Sequence, residues 1–142
     1  MKPAHPANMN PDQINRPEVL ASLRAAFDAY EAALLRHDLA ALDAFFVDAP
    51  DTLRYGVAEL DYGMAAIRRY RASAVPVHAG RRLRNIVIQS FGEDCGSAAC
   101  EFTAPDTAMI GRQSQTWLRL DGAWRIVAAH VSLLDPALLR EA

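Results

Sequence analysis

Cysteine is scarce here. Cys95 and Cys100 are the only two in 142 residues, too few for a disulfide framework. If they share one strand, residues five apart point to opposite faces and cannot bond. The reading is two reduced thiols in a cytoplasmic protein. Metal motifs are absent as well: there is no paired-cysteine pattern and no HExxH, and His5, His37, His78 and His130 are scattered. No metal and no cofactor are expected. A glycine-rich phosphate loop is missing, as is a GxSxG elbow, and neither cysteine has an evident histidine partner, which disfavours a hydrolase triad. No apolar run approaches the length of about eighteen residues that a membrane span needs. The first seventeen residues lack the apolar core of a signal peptide. A net charge of -2 gives no pull toward nucleic acid or acidic lipid.

What remains is an ordinary globular composition, 51% hydrophobic and 23% charged, enough for one core without staples. Residues 1–16 carry Pro3, Pro6 and Pro11 among small polar residues and read as a flexible arm. Pro17 can open a helix. Val19, Leu23, Phe27, Tyr30 and Leu34 then recur at helical spacing up to His37–Asp38. Asp38 can cap a second short helix through Leu42 and Phe46. TLRYG at 52–56 is a short strand, and a third helix is predicted over 63–73. Four strand-like runs follow, at 83–91, 97–103, 113–120 and 124–134. Asp121–Gly122 separates the last two as a hairpin turn, because both central positions of a type I′ turn need positive φ. Helices followed by a meander of strands make an α+β domain over 17–135, with 136–142 as a tail.

Some polar residues sit inside apolar patterns. Tyr30 lies on the apolar stripe of the first helix, where pattern alone favours a core tyrosine. Arg54 lies within a strand. Turned inward it requires an anionic partner, and turned outward it simply reaches water. Arg71 ends the third helix and can interact with its carboxyl end. Strict alternation puts Gln113, Gln115 and Trp117 on one sheet face and Ser114, Thr116 and Leu118 on the other. Alternation in the last strand groups Trp124, Ile126, Ala128, His130 and Ser132 against Val127, Ala129, Val131 and Leu133. Both faces are largely apolar, so one covers the helices and the other is expected to meet a second copy in a homodimer.

INRPEVL at 14–20, RYG at 54–56, GRQSQTW at 111–117 and WRIVAAHVS at 124–132 together resemble the AtzH/HpxZ-like family (DUF3225). That family is part of the nuclear transport factor 2-like superfamily, with the SnoaL-like and ketosteroid isomerase-like proteins. The resemblance implies a cone: three N-terminal helices packed on a strongly curved antiparallel sheet around a pocket. It implies a catalytic tyrosine at Tyr30 and a catalytic arginine at Arg54. Beside them, Arg71, Arg112 and Gln115 are candidates for binding a second carboxylate, and His130 and Ser132 for supporting the pocket from the last strand. It also implies a cofactor-free decarboxylating amidohydrolase acting on a small carboxylated substrate, an N-carboxylated urea such as 1,3-dicarboxyurea giving allophanate. Family members occur beside amidase genes in oxalurate and cyanuric acid catabolism. The alternative is a non-catalytic anion-binding or accessory protein. An isomerase or cyclase ranks last, since Glu101 is the main candidate base in the strands.

Overall fold

The computed structural model describes residues 8–140. The three helices are α1 (Pro17–Leu35), α2 (Leu39–Ala44) and α3 (Met64–Ala72), the last following two short strands. Each begins where local chemistry allows. Pro17, which has no N–H to donate, sits in the first turn of α1, where that donor would have no partner within the helix. Asp38 caps α2, its Oδ1 accepting from Ala41 N at 3.1 Å. Gly63, at φ 86, turns the chain into α3.

The strands are β1 (Leu53–Tyr55), β2 (Leu60–Tyr62), β3 (Arg82–Phe91), β4 (Cys95–Thr103), β5 (Ile110–Leu120) and β6 (Ala123–Leu134). They form one curved sheet in the order β2-β1-β6-β5-β4-β3. The expected antiparallel sheet is corrected in one place: β1 pairs parallel with β6, so the sheet is mixed. The meander of hairpins is local and readable, whereas the β1–β6 pairing joins segments about seventy residues apart and leaves no turn signal. Asp121 and Gly122 have φ of 50 and 79, as the β5–β6 turn requires.

Irregularities interrupt the ladders at Arg84/Val87 and at Thr116/Trp117, and such bulges sharpen local twist and bend. The second matters for function. It leaves Val127 unpaired between Ile126 and Ala128, so Ala129 and Val131 return to the face that carries Trp124 and Ile126. His130 and Ser132 therefore lie on the outer face, against the simple alternation. Cys100 is buried inside and Cys95 points outward, and both are free.

The concave face packs on the helices. Leu23, Phe27, Ile67, Trp117 and Ile126 are fully buried there. Residues assigned to the N-terminal arm are tied down where they are described: Asn15 N donates to Ser90 O, Asn15 Oδ1 accepts from Ser90 N, and Ile14 bridges Phe91. Residues 1–7 lie outside the described residues. At the other end, Pro136–Leu138 form a 3-10 turn capped by Asp135. Among the described residues no helix is long and apolar enough to cross a membrane.

Candidate functional site

A cleft of about 260 Å³ opens between the helices and the concave sheet, bounded by the β1–β2 turn and by the linker after α3. A larger depression of about 520 Å³ lies at α2 and the β5–β6 hairpin, but it is open to solvent and its Asp48 and Arg68 are paired to each other. The 260 Å³ cleft is where polar groups converge. Tyr30, Arg54, Arg71 and Gln115 all line it. Arg112, His130 and Ser132 do not. They stand on the outer face, where Arg112 Nε donates to Ser132 Oγ at 3.2 Å and His130 lies edge-on to Tyr55. Their assignment to the substrate pocket is corrected, and the bulge at Val127 is the cause for the two β6 residues. Arg112 points outward by plain alternation with the buried Gln113.

Tyr30 is carried by α1 into a box of aromatic edges, with ring centroids 5.6 Å from Phe45, 6.3 Å from Phe46 and 6.3 Å from Trp117. Burial raises its pKa above the usual 10, and Glu31 adds to this, while Arg71, Arg54 and Arg81 pull the other way. Burial outweighs the guanidinium groups, so the net shift is upward. No hydrogen bond to a described residue contributes to that balance. Tyr30 thus offers a neutral O–H, a donor held ready in an apolar wall.

Arg54 faces inward from β1 and is nearly buried, its side chain 11% exposed. Nη1 donates to Glu59 Oε1 at 3.2 Å and to Asp61 Oδ2 at 3.1 Å. The guanidinium lies over the Tyr70 ring, 3.6 Å from its centroid. The glycine of the RYG block has a physical reason: a Cβ on Gly56 would sit 2.6 Å from Arg54 Nη1 and 2.7 Å from Glu59 Oε1. Any side chain there moves the ion pair.

Arg71 leaves the end of α3 and turns inward instead of toward the helix terminus. Its Nε donates to Asp43 Oδ1 at 2.6 Å, and its buried Nη2 has no hydrogen-bond partner among the described residues. Gln115 accepts from Trp117 Nε1 at 3.0 Å, which commits its carbonyl and leaves its amide N–H groups for the cleft.

One cluster escaped the sequence reading. Arg81 grips Glu31 through Nε and Nη2 at 3.2 and 3.3 Å, and Gln113 closes the triangle, accepting from Arg81 Nη2 at 3.0 Å and donating to Glu31 at 2.9 Å. The signal for Glu31 was present. It extends the i+4 row Val19, Leu23, Phe27, and a carboxylate on a buried helical row demands a cation. Arg81 had no such signal, because alternation cannot choose between Arg81 and Arg82.

Neither thiol nor carboxylate offers competing chemistry. Burial pushes the Cys100 thiol up to about 11. Glu101 sits on the outer face, held low by Asn85 and Arg84, so it is no base for the cone. Among the described residues no cluster of His, Cys, Asp or Glu could hold a metal ion.

The sum is a donor-rich cleft. Three guanidinium groups, the phenols of Tyr30 and Tyr70 and the amides of Gln113 and Gln115 line it, and Glu59 is the one carboxylate among the lining residues. Asp43, Asp61 and Glu31 stand behind the arginines as counter-ions.

The profile of the AtzH-like family matches residues 12–137. A protein of unknown function of the DUF3225 family from Pectobacterium atrosepticum SCRI1043 is 46% identical, with a TM-score of 0.86 over 89% of this chain and 99% of that one. A cystatin-like fold protein from Burkholderia xenovorans LB400 is 43% identical, with a TM-score of 0.84 over 89% and 98%. A nuclear transport factor 2-like protein of unknown function from Pseudomonas putida KT2440 is 16% identical, with a TM-score of 0.67 over 82% and 87%, and shares the fold alone. No curated protein matches the chain.

Proposed function

The chain belongs to the AtzH-like family, and from that premise we propose that it is a cofactor-free decarboxylating amidohydrolase of a small N-carboxylated urea or related ureide, of the kind that turns 1,3-dicarboxyurea into allophanate. The observation that carries this reading is the donor-rich cleft, in which a neutral phenol stands among guanidinium groups. A substrate with carboxylates and a urea carbonyl presents mostly acceptors, and planar guanidinium groups match them in pairs.

The step is the loss of one N-carboxylate. The bond between the carboxyl carbon and the urea nitrogen breaks, carbon dioxide leaves, and the electron pair stays on nitrogen. Hydrogen bonds from Arg54 or Gln115 to the urea carbonyl spread that charge. The Tyr30 O–H supplies the proton to nitrogen, and water restores the phenol. A protonated phenol suits this role, since the site needs an acid at neutral pH.

Arg54→Lys keeps the charge but loses the planar fork. Its kcat/KM toward an N-carboxylated urea is expected to fall roughly a hundredfold with the melting temperature little changed. Gly56→Ala is expected to act in the same direction by displacing the Arg54–Glu59 pair, whose clashing atoms are the ends of flexible side chains. Wild-type turnover in both variants would remove Arg54 from the mechanism. Binding of carboxylates with no turnover would favour the anion-binding or accessory reading instead.

We also propose that the outer sheet face joins two copies. Small residues at its centre, Ser97, Ala99, Ser114 and Thr116, are flanked by exposed Val87, Leu60 and Tyr62. Light scattering after size exclusion is expected to give twice the 15.6 kDa chain mass at micromolar protein. A monomer there rejects the pairing.

A further inference from the structure

The three arginines of the cleft differ in how far their charge is already answered. Arg81 is held by Glu31 and Gln113 through Nε and Nη2. Arg54 has two carboxylates, Glu59 and Asp61, on one nitrogen, and an aromatic ring under its plane. Among the described residues Arg71 has a single counter-ion, Asp43, bound through Nε, and its buried Nη2 has no partner. The residue is 4% exposed. A buried unsatisfied guanidinium nitrogen costs free energy until something accepts from it. In a cleft already rich in donors, that acceptor comes from water or from a ligand, and a carboxylate is the better match for the charge of the guanidinium.

We propose that Arg71, and not Arg54, is the primary carboxylate anchor of the cleft, and that Asp43 behind it holds its affinity in check. A ligand carboxylate set end-on against Nη1 and Nη2 completes the hydrogen bonding of Arg71, while the Gln115 amide is free to donate to the same end. Arg54, carrying twice its own charge in counter-ions, is left to act on the neutral urea core. The ligand class narrows accordingly: one carboxylate is enough for binding, and the second end of the substrate needs no full anion. Asp43 competes with that carboxylate for the same cation, which keeps a small anionic product from being held tightly.

This inference rests on the carboxylate-substrate reading but not on turnover. The test is calorimetric titration of malonate and of oxamate into the intact protein. Wild type is expected to bind at least one of them. Arg71→Lys is expected to weaken binding at least tenfold and Arg54→Lys less than threefold. Asp43→Asn is expected to tighten it severalfold, a gain that a merely structural pair would not give. Thermal melts establish that each variant is folded, and if Arg71→Lys is not, Asp43→Asn decides. Equal binding by Arg71→Lys, a larger loss in Arg54→Lys, weaker binding in Asp43→Asn, or no binding by wild type overturns the assignment. Binding that follows this order in a protein that never releases carbon dioxide leaves the anchor standing and removes the decarboxylase.

Discussion

Tyr30→Phe is expected to lower kcat by roughly a hundred- to ten-thousandfold, the usual worth of a placed general acid, while leaving the fold as stable as before. The two halves of that result have separate causes. No hydrogen bond to a described residue is among the groups that set the Tyr30 hydroxyl, so removing it breaks no internal bond. Phenylalanine keeps the edge-on contacts with Phe45, Phe46 and Trp117. The residue lines the cleft and its hydroxyl is not among the buried unpartnered atoms of the described residues, so the melting temperature should stay level. KM should change little, because Arg71 holds the carboxylate. A second expectation follows from protonation. Burial and Glu31 keep the phenol above 10 against three guanidinium groups, so titration of Tyr30 should not shape kcat between about pH 6 and pH 9. Steady-state kinetics with calorimetric melts measure all of this. Full activity in the phenylalanine variant, or a matching loss of stability, contradicts the role.

The largest effect on stability is expected at the Glu31–Arg81–Gln113 triangle. Glu31→Ala leaves Arg81 buried, at 6% side-chain exposure, with its charge unanswered. Breaking a buried pair from one side costs about 3–5 kcal/mol, or roughly 10 °C in melting temperature for a chain of this size. Arg81→Met, which strands Glu31, should cost about as much. The double variant Glu31→Leu with Arg81→Met is expected to recover most of the loss, since replacing both partners with apolar groups is often neutral. A double variant as unstable as the sum of the two singles would show that the triangle contributes more than charge compensation. The triangle also braces the cleft: Arg81 lies 4.0 Å over the Phe102 ring, and both line it.

The helical half of this fold is legible because its signals are local. Pro17, Asp38 and Gly63 mark starts, and the row from Val19 to Leu34 marks the buried face. The strands of the meander are legible by their runs and by Asp121–Gly122. The last strand is where reading fails. A one-residue bulge reverses every later side chain, and nothing in WRIVAAHVSLL marks Val127 as the extra residue, so His130 and Ser132 were placed inside. The parallel β1–β6 pairing and the three-residue β2 leave no periodic trace. At the site, Tyr30 was readable as a polar atom on an apolar row, but its role came from the resemblance and not from the pattern. Arg54 was undecided between inward and outward until its partners Glu59 and Asp61 were known. Those partners lie on the return strand and turn, and an ion pair of this kind depends on register, which single-sequence spacing does not give.

The central claim is that this cleft performs a reaction and does not merely hold an anion. It is tested most directly by following labelled carbon dioxide released from 1,3-dicarboxyurea carrying carbon-13 in its carboxyl groups, with the protein and in buffer alone at the same pH. The account predicts release well above the spontaneous rate with wild type, and release near the buffer rate with Tyr30→Phe at equal concentration. A wild-type rate indistinguishable from buffer, in protein that still binds malonate, would contradict it.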